Sequence, residues 1–274
     1  MRINISPALS LPRSSFSFVV ALCFVASEVP AFDTSNIEDP DVRACAERSI
    51  PESTLSQTQL VRVSGANGFV RESIRELYWK RFSNDDSRVL VRVVEPPDEK
   101  GLAVLINDYE FDEPNYAMYS PRLKRVRRVT GESFFGSVLG TDFTYEDFAH
   151  FYRVDEREKV KRVDDGNVDG HPAYILETIK QDDNASYDVV RFYVDKAICV
   201  PVKADFIAPN GSLRKQLVVA RDEIKLVDER WIPFVTTMVD YKLKTHTEFV
   251  VLDVIVDPDL REGLFNFSEL MRSN

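Results

Sequence analysis

The sequence is poor in the side chains that do most enzymatic and metal chemistry. It has three histidines and three cysteines in 274 residues. His150, His171 and His246 are scattered, and none stands beside a plausible nucleophile as a general base. Nor do they share a metal-ligand spacing with the cysteines. No G-x-S-x-G elbow, H-E-x-x-H pair or glycine-rich phosphate loop occurs. These absences argue against an enzyme and imply no cofactor and no metal. Positive charge is also in deficit, with 35 Lys and Arg against 45 Asp and Glu. A net charge of −10 disfavours nucleic acid and anionic membrane surfaces as main partners.

Long apolar runs are absent except at the start. Arg2 and Arg13 precede "FSFVVALCFVA", Phe16 to Ala26, and Val29 and Ala31 then occupy small-residue positions. This is the layout of a secretory signal peptide spanning residues 1–31, with cleavage expected after about Ala31. The run is short for a bilayer span, so a retained anchor is the lesser alternative. Leu22 before Cys23 argues against a lipoprotein signal. Export then leaves two cysteines, Cys45 and Cys199. In an oxidising compartment they suggest one disulfide, the alternative being two buried thiols. Such a bridge closes a long loop, worth roughly 4–5 kcal/mol in the chain-entropy treatment.

What remains, residues 32–274, reads as one mainly β domain. Asp39-Pro40 offers an N-cap and a proline at the first helical position. Val42, Cys45, Ala46 and Ser49 then share a helical face before Pro51. Strands follow in a row: "TLSQTQLVRV", "FVRESIRELYWKRF" after the turn "GANG", "SRVLVRVV", "LAVLIN" and "NYAMYS". Later come "AYILETI", "VVRFYVD", "CVPVKADFI", "LRKQLVVARDEIKLV", "WIPFVTTMVDY" and "THTEFVVLDVIV". That is about eleven strands joined by hairpin-length turns, which predicts a large, strongly curved antiparallel sheet. One helix interrupts them. Thr144 and Asp147 make a capping-box-like pair, and Tyr145, Phe148, Ala149 and Tyr152 follow on one face.

Three constellations invite chemistry. Asp142 and Glu146 resemble a carboxylate pair, but acids at a helix N-terminus are the simpler account. Asp165, Asn167, Asp169 and Gly170 match the first half of a calcium loop, yet Leu176 stands where its last glutamate belongs, so a polar turn is favoured. Arg122, Lys124, Arg125, Arg127 and Arg128 form a basic cluster inside an acidic chain. It reads as a strand edge guarded by cations or as a docking patch for an acidic partner. Nucleic acid is the remote third option.

Met118 to Phe148, "MYSPRLKRVRRVTGESFFGSVLGTDFTYEDF", resembles the signature of the bacterial outer membrane lipoprotein-sorting group, relatives of the periplasmic carrier LolA. Tyr119, Pro121, Arg127 and Arg128 match its "Y-x-P-x-x-x-x-x-R-R" strand. Gly140, Thr141, Asp142, Phe143, Thr144, Tyr145, Glu146 and Asp147 match its "G-T-D-F-S/T-Y-E-D" run. "DGHPAYIL" and "YVDKAICVPVKADF" are similar to weaker parts of the pattern, and a helix-borne cysteine paired with one in "ICVPVK" fits a subset of the group. The resemblance implies a half-closed antiparallel barrel with helices on its concave side. It also implies a soluble periplasmic carrier for acyl chains of a lipoprotein or another hydrophobic lipid. Its partners would be an inner-membrane exporter, such as one of the resistance-nodulation type, or an outer-membrane acceptor. A lipid-sensing or scaffolding domain of envelope stress signalling is the alternative role. An acyl container should be apolar, concave and coverable. Phe134, Phe135, Val138, Leu139, Phe143, Tyr145 and Phe148 are the expected lining or cover, with Gly131, Gly136 and Gly140 as flexible points; an ordinary core is the competing account of the same residues.

Overall fold

The computed structural model describes residues 39–49, 53–82, 87–108, 115–152, 160–179 and 185–271. The expected leader, residues 1–31, lies outside them. Fifteen strands are present among the described residues: β1 Thr54–Ser64, β2 Val70–Arg81, β3 Ser87–Glu95, β4 Ala103–Asp108, β5 Asn115–Ser120, β6 Arg125–Arg128, β7 Val160–Val168, β8 His171–Ile179, β9 Val189–Asp195, β10 Pro201–Ile207, β11 Leu213–Val219, β12 Ile224–Val227, β13 Arg230–Pro233, β14 Val235–Asp240 and β15 Thr245–Val256. Helices α1 (Pro40–Ser49), α2 (Tyr145–Tyr152) and α3 (Phe267–Leu270) accompany them.

Thirteen strands form one antiparallel sheet in the order β6-β5-β4-β3-β2-β1-β15-β14-β11-β10-β9-β8-β7. The two ends, β6 and β7, do not pair, so the sheet is open. The pairing of β1 with β15 is the seam that joins the two runs of hairpins, from Leu55 against Val256 to Ser64 against His246. The remaining strands, β12 and β13, make a separate hairpin.

Strand composition follows burial. The "RVLVRVV" run of β3 is buried from Val89 to Val93 because both faces of this region are packed. Trp79, Val89, Val91, Val104, Ile106 and Tyr116 meet the α2 region on one face. Leu90, Leu105 and Ala117 meet Phe265 and Leu270 of the C-terminal segment on the other. Arg92 Nη2 donates to the Glu269 carbonyl at 2.7 Å there. Helix α1 begins as its sequence requires: Asp39 Oδ1 accepts from the Asp41 and Val42 amides at 2.9 and 3.1 Å. Its Val42 and Cys45 are buried with Val160, Leu176 and Val194. Cys45 is bridged to Cys199, with Cα atoms 5.0 Å apart.

The structure corrects the strand reading in three places. "LRKQLVVARDEIKLV" is two strands, broken by a 3-10 turn at Arg221–Glu223, where three charged residues interrupt the apolar alternation. "WIPFVTTMVDY" is also two: β13 pairs with β12 while β14 joins the large sheet. Strand β7 was not anticipated, since at this sheet edge Lys161, Val163, Asp164, Asp165 and Asn167 face water and dilute the apolar pattern. The calcium-like stretch lies mostly within it. Asp165 is held by Arg162 (2.7 Å) and Lys196 (2.5 Å), and only Asp169-Gly170 forms the turn.

Candidate functional site

The register fixes which side chains share the α2 face. Because strand side chains alternate, residues directly opposite one another point the same way. One row runs through Ala204, Leu217, Met238, Thr247, Val63 and Arg71, across six strands. This face carries two apolar patches. The first belongs to β2–β5. The second comprises Val190, Val202, Ala204, Phe206, Leu217, Val219 and Met238 of β9, β10, β11 and β14. Polar side chains lie between them: Arg71, Ser73, Arg75, Thr245, Thr247 and Lys215.

The stretch from Leu139 to Asp147 lies over this polar strip, and Phe134 before it packs on the β2–β5 patch. Thr144 and Asp147 form the expected capping box, the Thr144 amide donating to Asp147 Oδ2 (2.8 Å) and the Asp147 amide to Thr144 Oγ1 (3.1 Å). A tight loop precedes it, closed by the Val138 amide on the Phe143 carbonyl at 2.8 Å. Gly140 is required at its turn: its φ is +72°, and a Cβ there would sit 2.2 Å from Arg71 Nη2.

Buried charge fastens this loop. Asp147 is 0% and Lys215 2% exposed. Lys215 Nζ donates to Asp147 Oδ2 and to the Asp142 carbonyl, both at 2.7 Å. The Tyr187 hydroxyl donates to Asp147 Oδ1 at 2.8 Å. Burial and the adjacent Asp147 charge push that phenol's pKa well up. Asp142 takes hydroxyl bonds from Thr245 and, at 2.6 Å, from Thr247. Arg75 and Arg71 donate to the Leu139 carbonyl at 3.0 and 3.2 Å, and Arg71 also to the Gly140 carbonyl at 2.8 Å. Burial, then the neighbouring Arg71, lowers the Arg75 pKa to about 10. Glu146 Oε1 accepts from the Ser186 amide at 2.9 Å. Glu146 stands in the first turn of α2, as an acid at a helix N-terminus does, whereas Asp142 lies ahead of the helix and holds the loop to β15.

The aromatic candidates divide. Val138, Leu139, Phe143 and Tyr145 are buried, at 4%, 8%, 6% and 3% exposure. Phe134, Phe135 and Phe148 are half-buried. Val138, Leu139, Tyr145 and Phe134 pack with the β2–β5 patch, Phe143 with the second, and Phe148 with both. Ring contacts continue the line: Phe134 to Tyr116 and to Phe135 at 5.7 Å, Tyr116 to Tyr145 at 5.6 Å, and Phe143 to Phe249 at 5.2 Å. Burial raises the Tyr145 pKa to about 12.

The basic cluster is a separate place. Arg122 and Lys124 lie on the β5–β6 turn, and Arg125, Arg127 and Arg128 on the edge strand β6; all five are exposed. A cleft of about 690 Å³ opens at the other sheet edge, lined by Asp39, Pro40 and residues 161–165, and includes none of the aromatic candidates.

Sequence reasoning missed Lys215, Arg71, Arg75, Tyr187, Thr245 and Thr247. A signal existed for two of them. Lys215 is in phase with Leu217 and Val219, and Arg75 with Leu77 and Trp79, so each is a cation on a strand's inward side.

Solved structures share this architecture. A domain from Vibrio parahaemolyticus described as an outer membrane lipoprotein-sorting protein is 24% identical, with 85% of this chain and 97% of that one covered and a TM-score of 0.76. A DUF1329 family protein from Desulfovibrio piger is 22% identical, with 84% and 96% covered and a TM-score of 0.75. A LolA superfamily protein from Nitrosomonas europaea is 18% identical, with 83% and 98% covered and a TM-score of 0.62. The fold is therefore that of the LolA-like lipoprotein-sorting proteins. Residues 85–272 match the model of a family described as "Uncharacterized protein", and the chain belongs to that family. No curated protein matches the sequence. Among the described residues no helix is long and apolar enough to cross a membrane.

Proposed function

We propose that this protein is a periplasmic carrier that shelters the acyl chains of a lipoprotein or another hydrophobic lipid between envelope membranes. The observation that carries this reading is the α2 face itself. Two apolar patches lie on one side of an open sheet, beneath a single segment that touches both. In this reading the sheet curves into a half-barrel, and Gly131–Tyr152 is its cover. The loop Ser137–Asp147 is the fixed fastening. Phe134, Phe135 and Phe148 form the yielding part, between which and the sheet an acyl chain enters. The lipoprotein-sorting description of the Vibrio protein supports the cargo class. The leader sequence supports export.

Binding of a fluorescent fatty-acyl probe tests this. Saturable binding, competed by unlabelled lipid and weakened by Phe148→Asp, is expected. Probe that fails to bind, or binds without saturation, would overturn the carrier reading. Mass spectrometry of lipid co-purified with the exported protein would then name the cargo.

A further inference from the structure

We infer that the free edge of β6 takes an extended acidic peptide segment of a partner protein as an added strand. The inference gives chemical form to the docking side of the carrier reading and rests on it. Many of the other described cations are already occupied. Arg62, Arg71, Arg162, Arg191, Lys196, Lys203, Arg214, Lys215, Arg221 and Arg261 each pair with a carboxylate. Lys124, Arg125, Arg127 and Arg128 are exposed and have no carboxylate partner among the described residues, while Arg122 only approaches Asp98 at 3.9 Å. These cations are gathered at one end of the sheet, where β6 pairs with β5 on one side and with no described strand on the other. An edge strand offers unpaired N–H and C=O groups along that side.

The register sets what can satisfy both features. Arg125 lies opposite Ser120 and Arg127 opposite Met118, on the face of the sheet that carries the β2–β5 patch. Val126 and Arg128, opposite Tyr119 and Ala117, point to the other face. A planar anionic surface meets one of these faces at a time. A strand laid along β6 meets both, and its backbone fills the open hydrogen-bonding positions. The partner is therefore an extended segment with acidic side chains at alternate positions beside Arg125 and Arg127. A further acid on its opposite side would meet Arg128.

The test uses the whole mature protein and short fluorescent peptides read by anisotropy at low and at physiological salt. One peptide alternates glutamate with threonine, a second has the same composition with its glutamates in one block, and a third is the alternating peptide with methylated backbone nitrogens. The alternating peptide should bind roughly tenfold more tightly than the block peptide and should weaken with salt. Backbone methylation should abolish binding, and Arg125→Glu with Arg127→Glu should reduce it by about tenfold or more. The same double variant should bind the acyl probe as the unaltered protein does. Equal binding of all three peptides would overturn the inference in favour of undirected charge attraction. So would binding only to vesicles containing phosphatidylglycerol, or concentration-dependent self-association in place of peptide binding. Absence of peptide binding with acyl binding intact would remove the added strand and leave the carrier reading standing. Loss of acyl binding in the unaltered protein would remove the carrier reading itself.

Discussion

Two stretches of the same segment are held in opposite ways. Ser137–Asp147 is fastened by buried charge and hydroxyls: Lys215 on Asp147, Thr245 and Thr247 on Asp142, and Arg71 and Arg75 on the loop carbonyls. Gly131–Phe135, a short 3-10 turn, has no buried residue and touches the sheet through half-buried Phe134. Polar bonds of this kind specify one geometry, because breaking one strands a buried charge. Apolar contacts have no preferred direction and tolerate rearrangement. In the carrier reading, a lipid-dependent change falls on the second stretch and spares the first. The stretch richest in recognisable signature residues is the fixed point, and the less distinctive aromatic stretch is the yielding one.

The largest effect is expected at Lys215. Lys215→Met leaves Asp147 buried without its cation and should cost about 3–5 kcal/mol in urea denaturation. Adding Asp147→Leu in the same chain should recover most of the loss, since an apolar pair replaces an ionic one. A loss in the single variant under about 1 kcal/mol, the range of exposed pairs, would show that the fastening is not structural. Gly140→Ala comes next. A left-handed residue with a Cβ, crowding Arg71, should cost about 1–2 kcal/mol in the same measurement. Arg71→Ala should relieve the crowding part of that cost when combined with it. In the aromatic stretch the balance should reverse. Phe134→Ser or Phe135→Ser should cost only about 1 kcal/mol of stability, because each ring is half-buried already. Both should nevertheless weaken acyl-probe binding several-fold in a fluorescence titration.

The smallest effect is expected far from the segment, at the start of α1. The hydrogen bond from Arg162, then those from the Val42 and Asp41 amides, hold the Asp39 pKa below its ordinary 3.8. A carboxylate depressed in the folded state contributes stability that is complete above 3.8 and is lost as pH falls below it. Arg162→Ala should therefore lower stability slightly near neutrality and flatten the acid limb, the difference from the unaltered protein closing as pH falls below 3.8. An unchanged acid limb would deny Asp39 this role.

Local rules were enough for the elements they govern. Asp39-Pro40 announced α1, Thr144 with Asp147 announced α2, and "GANG" announced the first hairpin. The pairing of Cys45 with Cys199 followed from there being two cysteines outside the expected leader. Strand β7 escaped because an edge strand facing water keeps little apolar alternation. The C-terminal segment escaped for a different reason: Phe265 and Leu270 are core residues only because β3–β5 bring Leu90, Leu105 and Ala117 to them. The fastening was legible in outline, since its signature residues stand out in the sequence, but its role was not. Asp142 and Asp147 acquire meaning from Thr245, Thr247 and Lys215, between 68 and 105 residues away. Only the sheet register brings them together.

In the carrier proposal, acyl cargo enters beneath the aromatic stretch while the fastened loop stays in place. Hydrogen exchange across residues 131–148 during titration with a fatty-acyl ligand tests it most directly. The amides of Gly131–Gly136 should change protection in step with ligand saturation, while those of Thr141–Asp147 keep their unliganded rates. A saturating ligand that leaves Gly131–Gly136 unaltered, or that frees Thr141–Asp147 first, would contradict it.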